Sequence, residues 1–520
     1  MLPFSGQYWL YGGTVSGGTE FIGAAGGPGG QGVFSQSAHY YGSSLNSATS
    51  IQIGSAAQST GVYDITGPAT GSFTATATTT ADLTVGDNGT GTFNQSGGVV
   101  TIDGNLYLGG SSAGAIGTYN LNSTGSNGTT PTLSAANEYI GNNGSGAFTQ
   151  SAGTNTVASN LTIAVNSGSR GTYNLSGGIL QLGHWFYNSF LHRSFFIVST
   201  VLNNGTFNQS GGTLQDINGG SSLTFTNSAS GTVNISGGAI NANLTNNGTV
   251  NIQGTGSDFV IGGGVTNNSV IEAWADGQTM TVNGSGLNNG GQITLRATII
   301  NGSGPLTNNG QIAGGGNIGG TGGFTNNGLL TQTDPYAQSG NLTLSNTGTL
   351  SNAGTILMAG GYVLTLSGSG LSNTGTVNLN GGTLAGSATL INVAGGVVQG
   401  SGLISAGFFN SGGATLLLQA GTTDISNAFS NDGTILLNGV TANLTGGAIT
   451  NNGTLQGFGS VGSNITNLGS GTVEALGGTL VINGSFSNAG LIAAPAGAKV
   501  LLANSSGVNR GTISLTGGGL

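Results

Sequence analysis

The chain has 520 residues, no cysteine, 106 glycines and a formal net charge of −9. Charged residues make up 4% of the chain and there are five Lys and Arg together, which excludes a basic nucleic-acid-binding surface. The lack of cysteine excludes disulfides and thiolate metal sites. Seven prolines without a strict glycine period exclude collagen, and 36% hydrophobic residues that recur in register argue against disorder.

The N-terminal part, residues 1–80, follows the later repeats poorly. Its first residues lack the basic and apolar stretches of a secretory signal, so we expect the sequence to be an internal piece of a longer chain. The alternation of Thr and Ala from Thr74 to Thr84 predicts a strand. We expect an irregular region or a cap that covers the open edge of the first repeat with aromatic side chains: Tyr8, Trp9, Tyr11, Phe34, Tyr40 and Tyr41.

Residues 81–245 carry repeats of about 25 residues. The run Gly91-Thr92-Phe93-Asn94-Gln95-Ser96-Gly97-Gly98 returns with small changes from Gly171, Gly205 and Gly231. Apolar residues at every second position indicate half-buried strands, and the paired glycines indicate turns.

The segment 184–196 interrupts one of these repeats with a foreign, aromatic composition. Three interpretations stay open: a sequence artefact, a structural loop packed on the repeats, or a protruding patch that binds a partner or a sugar. The third interpretation rests on the tendency of exposed apolar clusters to mark interaction sites. In that case Trp185, Phe186 and Tyr187 are the candidate binding residues.

Residues 246–520 carry repeats of about 20 residues, which we expect to continue beyond the last residue. Each begins with an Asn-x-Gly turn followed by an alternating run such as Gly248-Thr249-Val250-Asn251-Ile252. The alternation places Val377 and Ile435 inside, and the amides of the turn asparagines are expected to bond from repeat to repeat. These asparagines are Asn246, Asn267, Asn288, Asn308, Asn326, Asn352, Asn373, Asn392, Asn410, Asn431, Asn451, Asn467, Asn488 and Asn509.

The repeat length selects the fold class. Short strands every 20 to 25 residues without a helical period predict an all-β, right-handed parallel β-helix, or β-solenoid, of roughly 20 coils. The fixed Leu spacing of a leucine-rich repeat is missing, and a propeller blade needs about 40 residues.

We found no pattern typical of a catalytic, cofactor or metal site. Polysaccharide-cleaving enzymes need paired carboxylates. Asp82 and Asp103 are the closest match to such a pair, and Asp424 and Asp432 lack an adjacent base, so solvated loop carboxylates are the preferred interpretation of both. Three histidines share no metal-ligand spacing, and no apolar run reaches the ~20 residues of a membrane-spanning helix.

The repeats from Gly91, Gly171 and Gly205, and the Asn-Asn-Gly repeats at Asn246 and Asn451, resemble the passenger regions of bacterial autotransporters and filamentous-haemagglutinin-type surface proteins. This resemblance covers roughly residues 80–520. It implies a cysteine-poor β-helix exported across the outer membrane of a Gram-negative bacterium, although no signal peptide and no C-terminal barrel are visible in the sequence.

Together these observations predict a secreted or surface-displayed structural protein that acts as an adhesin or a stalk, and not an enzyme. Its expected partners are glycans, host or other cell surfaces, or identical chains joined end to end. Two alternatives stay open: a polysaccharide-processing β-helix enzyme and a self-assembling filament or sheath scaffold.

Overall fold

The structure of the chain is a computed structural model. It describes residues 3–4, 6–24, 29–38, 42–67, 74–123, 130–254, 258–273, 279–336, 339–504 and 506–520. The chain divides into two compact units, one formed by residues 1–272 and 278–285, the other by 273–277 and 286–520. Throughout the described ranges the regular structure is β-strand, without a helix.

Each turn of the first unit contributes strands to three parallel ladders. The first ladder contains Gly6–Leu10, Gln31–Ser37, Thr60–Thr66, Thr90–Gln95, Ile116–Leu121, Ser145–Gln150, Arg170–Leu175, Thr206–Gln209, Thr232–Ile235, Thr249–Ile252 and Val270–Ala273. Some long strands take part in both the second and the third ladder: Gly13–Ile22, Ser44–Ile53, Val99–Leu108 and Thr132–Ile140. The second ladder also has Ala75–Thr79, Thr154–Val157, Ile179–Leu182, Thr213–Asp216, Ala239–Ile240, Phe259–Ile261 and Thr279–Val282. The third also has Pro3–Phe4, Leu83–Val85, Asn160–Ile163, Thr200–Asn203, Leu223–Asn227, Ala242–Asn246 and Val265–Asn267.

The second unit has the same three-ladder plan. Strands that serve one or both of the first two ladders are Gln292–Gly302, Gln311–Gly320, Leu329–Thr331, Leu342–Asn346, Thr355–Leu357, Val363–Leu366, Thr376–Asn378, Thr383–Gly386, Val397–Gln399, Gly402–Ile404, Thr415–Leu418, Thr422–Ile425, Thr434–Gly446, Thr454–Val461, Thr472–Ile482, Leu491–Pro495, Lys499–Leu502 and Thr512–Thr516. The third ladder contains Leu287–Asn289, Leu306–Asn308, Phe324–Asn326, Leu350–Asn352, Leu371–Asn373, Thr389–Asn392, Gly407–Asn410, Phe429–Asn431, Ile449–Asn451, Ile465–Asn467, Phe486–Asn488 and Val508–Asn509.

The predicted β-solenoid is confirmed, with about 22 turns over the two units. Equivalent strands pair in parallel and in register, as Val233 does with Val250. The inward positions predicted from alternation are buried: Val250, Val377 and Ile435 are at most 2% exposed. Because the strand period is two, the intervening polar residues face outward.

Buried asparagine side chains form a ladder in each unit. In the second unit each amide donates from Nδ2 to Oδ1 of the next asparagine over 2.6–2.8 Å, from Asn289 to Asn509. In the first unit the same bonds join Asn203, Asn227, Asn246 and Asn267. The placement of these residues in turns is wrong, since each is the last residue of a strand and all but Asn509 are buried.

One ladder position was also misassigned. The sequence prediction chose Asn288, but Asn289 is the buried residue that bonds to Asn308. Both residues satisfy the Asn-x-Gly pattern because two asparagines precede two glycines here, at Gly290 and Gly291. The side-chain direction alternates along the strand, so one of the two asparagines must face solvent.

A continuous aromatic stack fills the interior of the first unit beside its first ladder. Ring centroids of successive turns lie 4.6–5.6 Å apart along Phe34, Tyr63, Phe93, Tyr119, Phe148, Tyr173 and Phe207. The buried tyrosine hydroxyls find partners in buried glutamines, as Tyr173 donates to Oε1 of Gln150 over 2.7 Å. The phenyl or phenol ring and the glutamine of the 25-residue repeat are therefore core residues.

The described parts of residues 1–80 are regular. Gln31–Ser37 pairs in parallel with Thr60–Thr66, and Thr60–Thr66 pairs with Thr90–Gln95 in the same ladder as the later repeats. The repeat motif of the later turns does not match these strands, because their turns differ in length and lack the Asn-Gln-Ser-Gly-Gly ending. Tyr40 and Tyr41, expected in a cap, lie outside the described residues.

Candidate functional site: an exposed aromatic hairpin

The foreign segment forms an antiparallel β-hairpin of its own. Its strands are His184–Asn188 and Arg193–Ile197, and Trp185 pairs with Phe196. The hairpin does not join the ladders of the column, in which every named strand pairing is parallel. It therefore projects from the solenoid as a separate two-stranded sheet.

The hairpin occupies one corner between the second and third ladders. The preceding turn crosses this corner with Ala158 and Ser159, whereas this turn uses residues 183–199. Leu182 still pairs with Val157 before the corner, and Thr200 still pairs with Asn160 after it. The winding thus keeps its register across the insertion.

Polar contacts hold the base of the hairpin to the column. The His184 ring nitrogen Nδ1 lies 2.9 Å from the Ala158 carbonyl oxygen, and the Ser199 hydroxyl donates to the same oxygen over 3.0 Å. Gly183 has a φ of +118°, and a Cβ there would meet the Phe196 ring. These contacts fix where the hairpin leaves the column.

The three predicted binding residues are brought together and exposed. Trp185, Phe186 and Tyr187 expose 55%, 52% and 58% of their surfaces. Consecutive residues of a strand point to opposite faces, so all three are exposed because neither face of the small sheet is covered. This arrangement fits the interpretation of a protruding patch better than that of a loop packed on the solenoid.

The tip of the hairpin adds apolar residues that the sequence reasoning missed. Phe190 is 90% exposed and Leu191 is 52% exposed, and their backbone N–H groups donate to Oδ1 of Asn188 over 3.0 Å. The sequence contained a signal for this tip, since Phe190 and Leu191 directly follow Asn188-Ser189, a pair typical of turns. Arg193 carries a positive charge next to the tip, and residues 184–198 contain no acid.

The acidic residues weighed for catalysis are engaged with neutral partners. Oδ1 of Asp82 accepts hydrogen bonds from the backbone N–H and Nδ2 of Asn105 over 2.7 and 3.1 Å. Asp424 accepts from Thr445 over 3.0 Å, and Asp432 accepts from Asn452 over 3.2 Å. Asp82, Asp424 and Asp432 therefore each accept hydrogen bonds from uncharged amide or hydroxyl groups.

In the described ranges, no group of three or more His, Asp or Glu residues is placed to hold a metal ion. The described part of the chain also contains no helix that is long and apolar enough to cross a membrane.

Comparison with known proteins gives no family for this chain. No protein-family model matches it, and no curated protein matches it either. The class defined here is therefore the fold, a parallel β-solenoid with a projecting aromatic hairpin.

Proposed function

We propose that the chain is a secreted or surface-displayed structural β-solenoid that acts as an adhesin or a stalk, with the hairpin 184–197 as its contact element. The observation that carries the proposal is the exposure of Trp185, Phe186, Tyr187 and Phe190 on a solenoid whose outward residues are mostly polar and uncharged. Exposed apolar clusters of this kind mark interaction sites in soluble proteins.

The column supports a mechanical role. Backbone groups bond from turn to turn in every ladder, and the asparagine side chains add a second set of bonds inside the column. Each turn therefore rests on its neighbours, as in other repeat proteins. The resemblance to autotransporter passengers and filamentous-haemagglutinin-type proteins points in the same direction.

A hairpin deletion tests the contact role. Replacing residues 183–199 by Ala-Ser copies the corner of the preceding turn, so the column should keep its circular dichroism spectrum and urea midpoint. We expect binding of the fluorescently labelled protein to epithelial cells to fall to background. Val440→Ser, which removes an apolar side chain that is 87% exposed elsewhere, is the matched control and should bind as the unchanged chain does. Equal binding by the deletion variant contradicts the contact role.

Surface display needs a separate test. Intact cells of the source organism are treated with proteinase K, and the protein is then detected with an antibody. We expect the signal to disappear without lysis. Persistence of the signal until the cells are broken refutes display, whatever the outcome of the hairpin experiment.

A further inference from the structure

We infer that the outer face of the first ladder of the first unit carries a groove that binds the sugar rings of a neutral oligosaccharide, with Trp9 and Tyr11 as its aromatic wall. The groove lies on a different part of the unit from the hairpin, and its lining shares no residue with the hairpin. The groove gives the first unit a binding site for a defined class of ligand, and this role does not depend on whether the hairpin is a contact element.

Two outward columns of side chains form the floor of the groove. The ladder register stacks Ser35 on Asp64 and Asp64 on Asn94, next to Trp9. The neighbouring column, two residues further along each strand, holds Ser37, Thr66 and Ser96. All the floor positions are therefore polar, and the two columns enclose about 340 Å³ together with the wall.

The wall consists of two exposed, nearly parallel rings. The Trp9 and Tyr11 ring centroids lie 5.8 Å apart at an angle of 16°, and the residues are 53% and 50% exposed. An aromatic face carries partial negative charge, and the C–H groups on one face of a sugar ring carry partial positive charge. Such a wall offers an apolar surface for the ring, while the hydroxyls on the ring's edge stay free to bond elsewhere.

The floor has hydrogen-bonding capacity left for those hydroxyls. Asn94 donates one amide hydrogen to Oδ1 of Asp64 over 2.8 Å, which leaves its second amide hydrogen and the other carboxylate oxygen available. Hydroxyl groups of Ser35 and Ser96 can donate as well as accept. A ligand with alternating hydroxyl donors and acceptors matches this surface.

The same two columns carry a second groove several turns further along the unit. It encloses about 380 Å³ between Asn208 and Asn234 on one side and Ser210 and Ser236 on the other. The first column is continuous, since the ladder register runs from Asn94 to Asn234 through Asn120, Thr149, Asn174 and Asn208. A ligand made of repeated sugar units fits a track of repeated amides and hydroxyls.

The lining favours binding over cleavage, and a neutral ligand over a cation. Glycosidic bond cleavage uses a pair of carboxylates on either side of the bond, and the lining of the Trp9 groove contains Asp64 as its single carboxylate. A cationic ligand would also be attracted to an aromatic ring and a carboxylate, and its binding would weaken with salt. The rest of the floor consists of hydroxyls and an amide, which favours a polyhydroxylated ligand.

The test is a titration of the full chain with cellotetraose, chitotetraose, xylotetraose and maltotetraose by isothermal calorimetry. We expect at least one tetrasaccharide to bind, with an affinity that does not change between 50 and 500 mM NaCl. Trp9→Ala should weaken that binding by about tenfold or more, which corresponds to ~1.4 kcal/mol, and Trp9→Phe should restore most of it. Tyr336→Ala removes an aromatic side chain that is 51% exposed in the second unit and should change the affinity by less than about twofold, or ~0.4 kcal/mol.

Each other outcome overturns the inference. Absence of binding by all four tetrasaccharides refutes a neutral-oligosaccharide site. Equal weakening by Trp9→Ala and Tyr336→Ala refutes the location. Binding of tetramethylammonium that is lost in 500 mM NaCl, without binding of any sugar, identifies a cation site instead. Because Trp9 points outward, its variants should keep the urea midpoint of the unchanged chain, and the hairpin deletion should bind the sugar normally.

Discussion

Replacing Glu138 by glutamine should change how the stability of the first unit depends on pH. Glu138 is fully buried, and its Oε2 accepts a hydrogen bond from Nδ2 of Asn155 over 3.1 Å. Its Oε1 and the Oδ1 of Asn155 are both buried without a hydrogen-bond partner. A proton on Oε1 would turn this oxygen into a donor, because a carboxylic acid can donate where a carboxylate cannot.

Burial disfavours the charged form of Glu138, and the hydrogen bond from Asn155 is the weaker interaction that favours it. The neighbours in its ladder are Leu106 and Leu161. The titratable groups that face it are the phenols of Tyr119 and Tyr173, whose own pKa values burial raises well above the usual range, so both stay neutral. Burial raises the pKa of Glu138 to about 8, against a weaker opposing effect of the Asn155 hydrogen bond.

The sign of the pH dependence follows from proton counting. Between an ordinary pKa of 4.5 and the folded value of about 8, the folded chain keeps a proton that the unfolded chain releases. The free energy of unfolding therefore falls as the pH rises through this window and is lowest above it. At ~1.4 kcal/mol per pH unit, the whole effect is about 5 kcal/mol, of which about 3 kcal/mol falls between pH 5.5 and pH 9.

Urea unfolding followed by circular dichroism at pH 5.5 and pH 9 measures this effect. The unchanged chain should unfold at a lower urea concentration at pH 9, and Glu138→Gln should reduce that difference, since its neutral amide can donate to Asn155. Part of the slope should persist until Glu20→Gln is added, because burial raises the pKa of Glu20 in the same way beside Asn46. Glu474→Gln, an outward-facing control, should leave the difference intact. A midpoint independent of pH in the unchanged chain refutes the reasoning.

Three further substitutions test the ladders by the same urea measurement. Asn431→Ala leaves buried partners of the asparagine ladder unpaired and should cost ~2–4 kcal/mol, whereas Asn452→Ala on the surface should cost less than ~0.5 kcal/mol. Gly457→Ala should destabilise strongly, because its φ of +112° and the adjacent Leu437 carbonyl leave no space for Cβ; Gly469→Ala, with open space around it, should be near neutral. Tyr173→Phe removes a buried hydroxyl that both donates and accepts, and should cost ~1–3 kcal/mol.

The fold was predictable because its signal is local and repeated. Alternation around Val250, Val377 and Ile435 gave the inward direction without any structure, since the strand period is two. The choice between Asn288 and Asn289 was not predictable, because the motif fits both residues and burial decides between them. The arrangement of the strands in three ladders was also not predictable from the sequence, since strands of three or four residues show little periodicity.

The two candidate binding surfaces, the hairpin and the groove at Trp9, differ in how far the sequence alone could predict them. Trp185, Phe186 and Tyr187 stood out by composition, yet no period predicted their hairpin, because both of its faces are exposed. The groove at Trp9 needs residues from turns of unequal length, such as Ser35, Asp64 and Asn94, to be placed side by side. Only the register of the ladders supplies that placement.

The corner that carries the hairpin shows that loop length and stacking are decoupled in this fold. Residues 183–199 replace Ala158 and Ser159 without shifting the strands on either side. Lengthening a flexible connection costs about 0.6 kcal/mol per doubling, so such an addition is thermodynamically cheap. Corners of this chain are therefore natural attachment points where evolution, or a protein engineer, can graft a foreign peptide for display without redesigning the column beneath it.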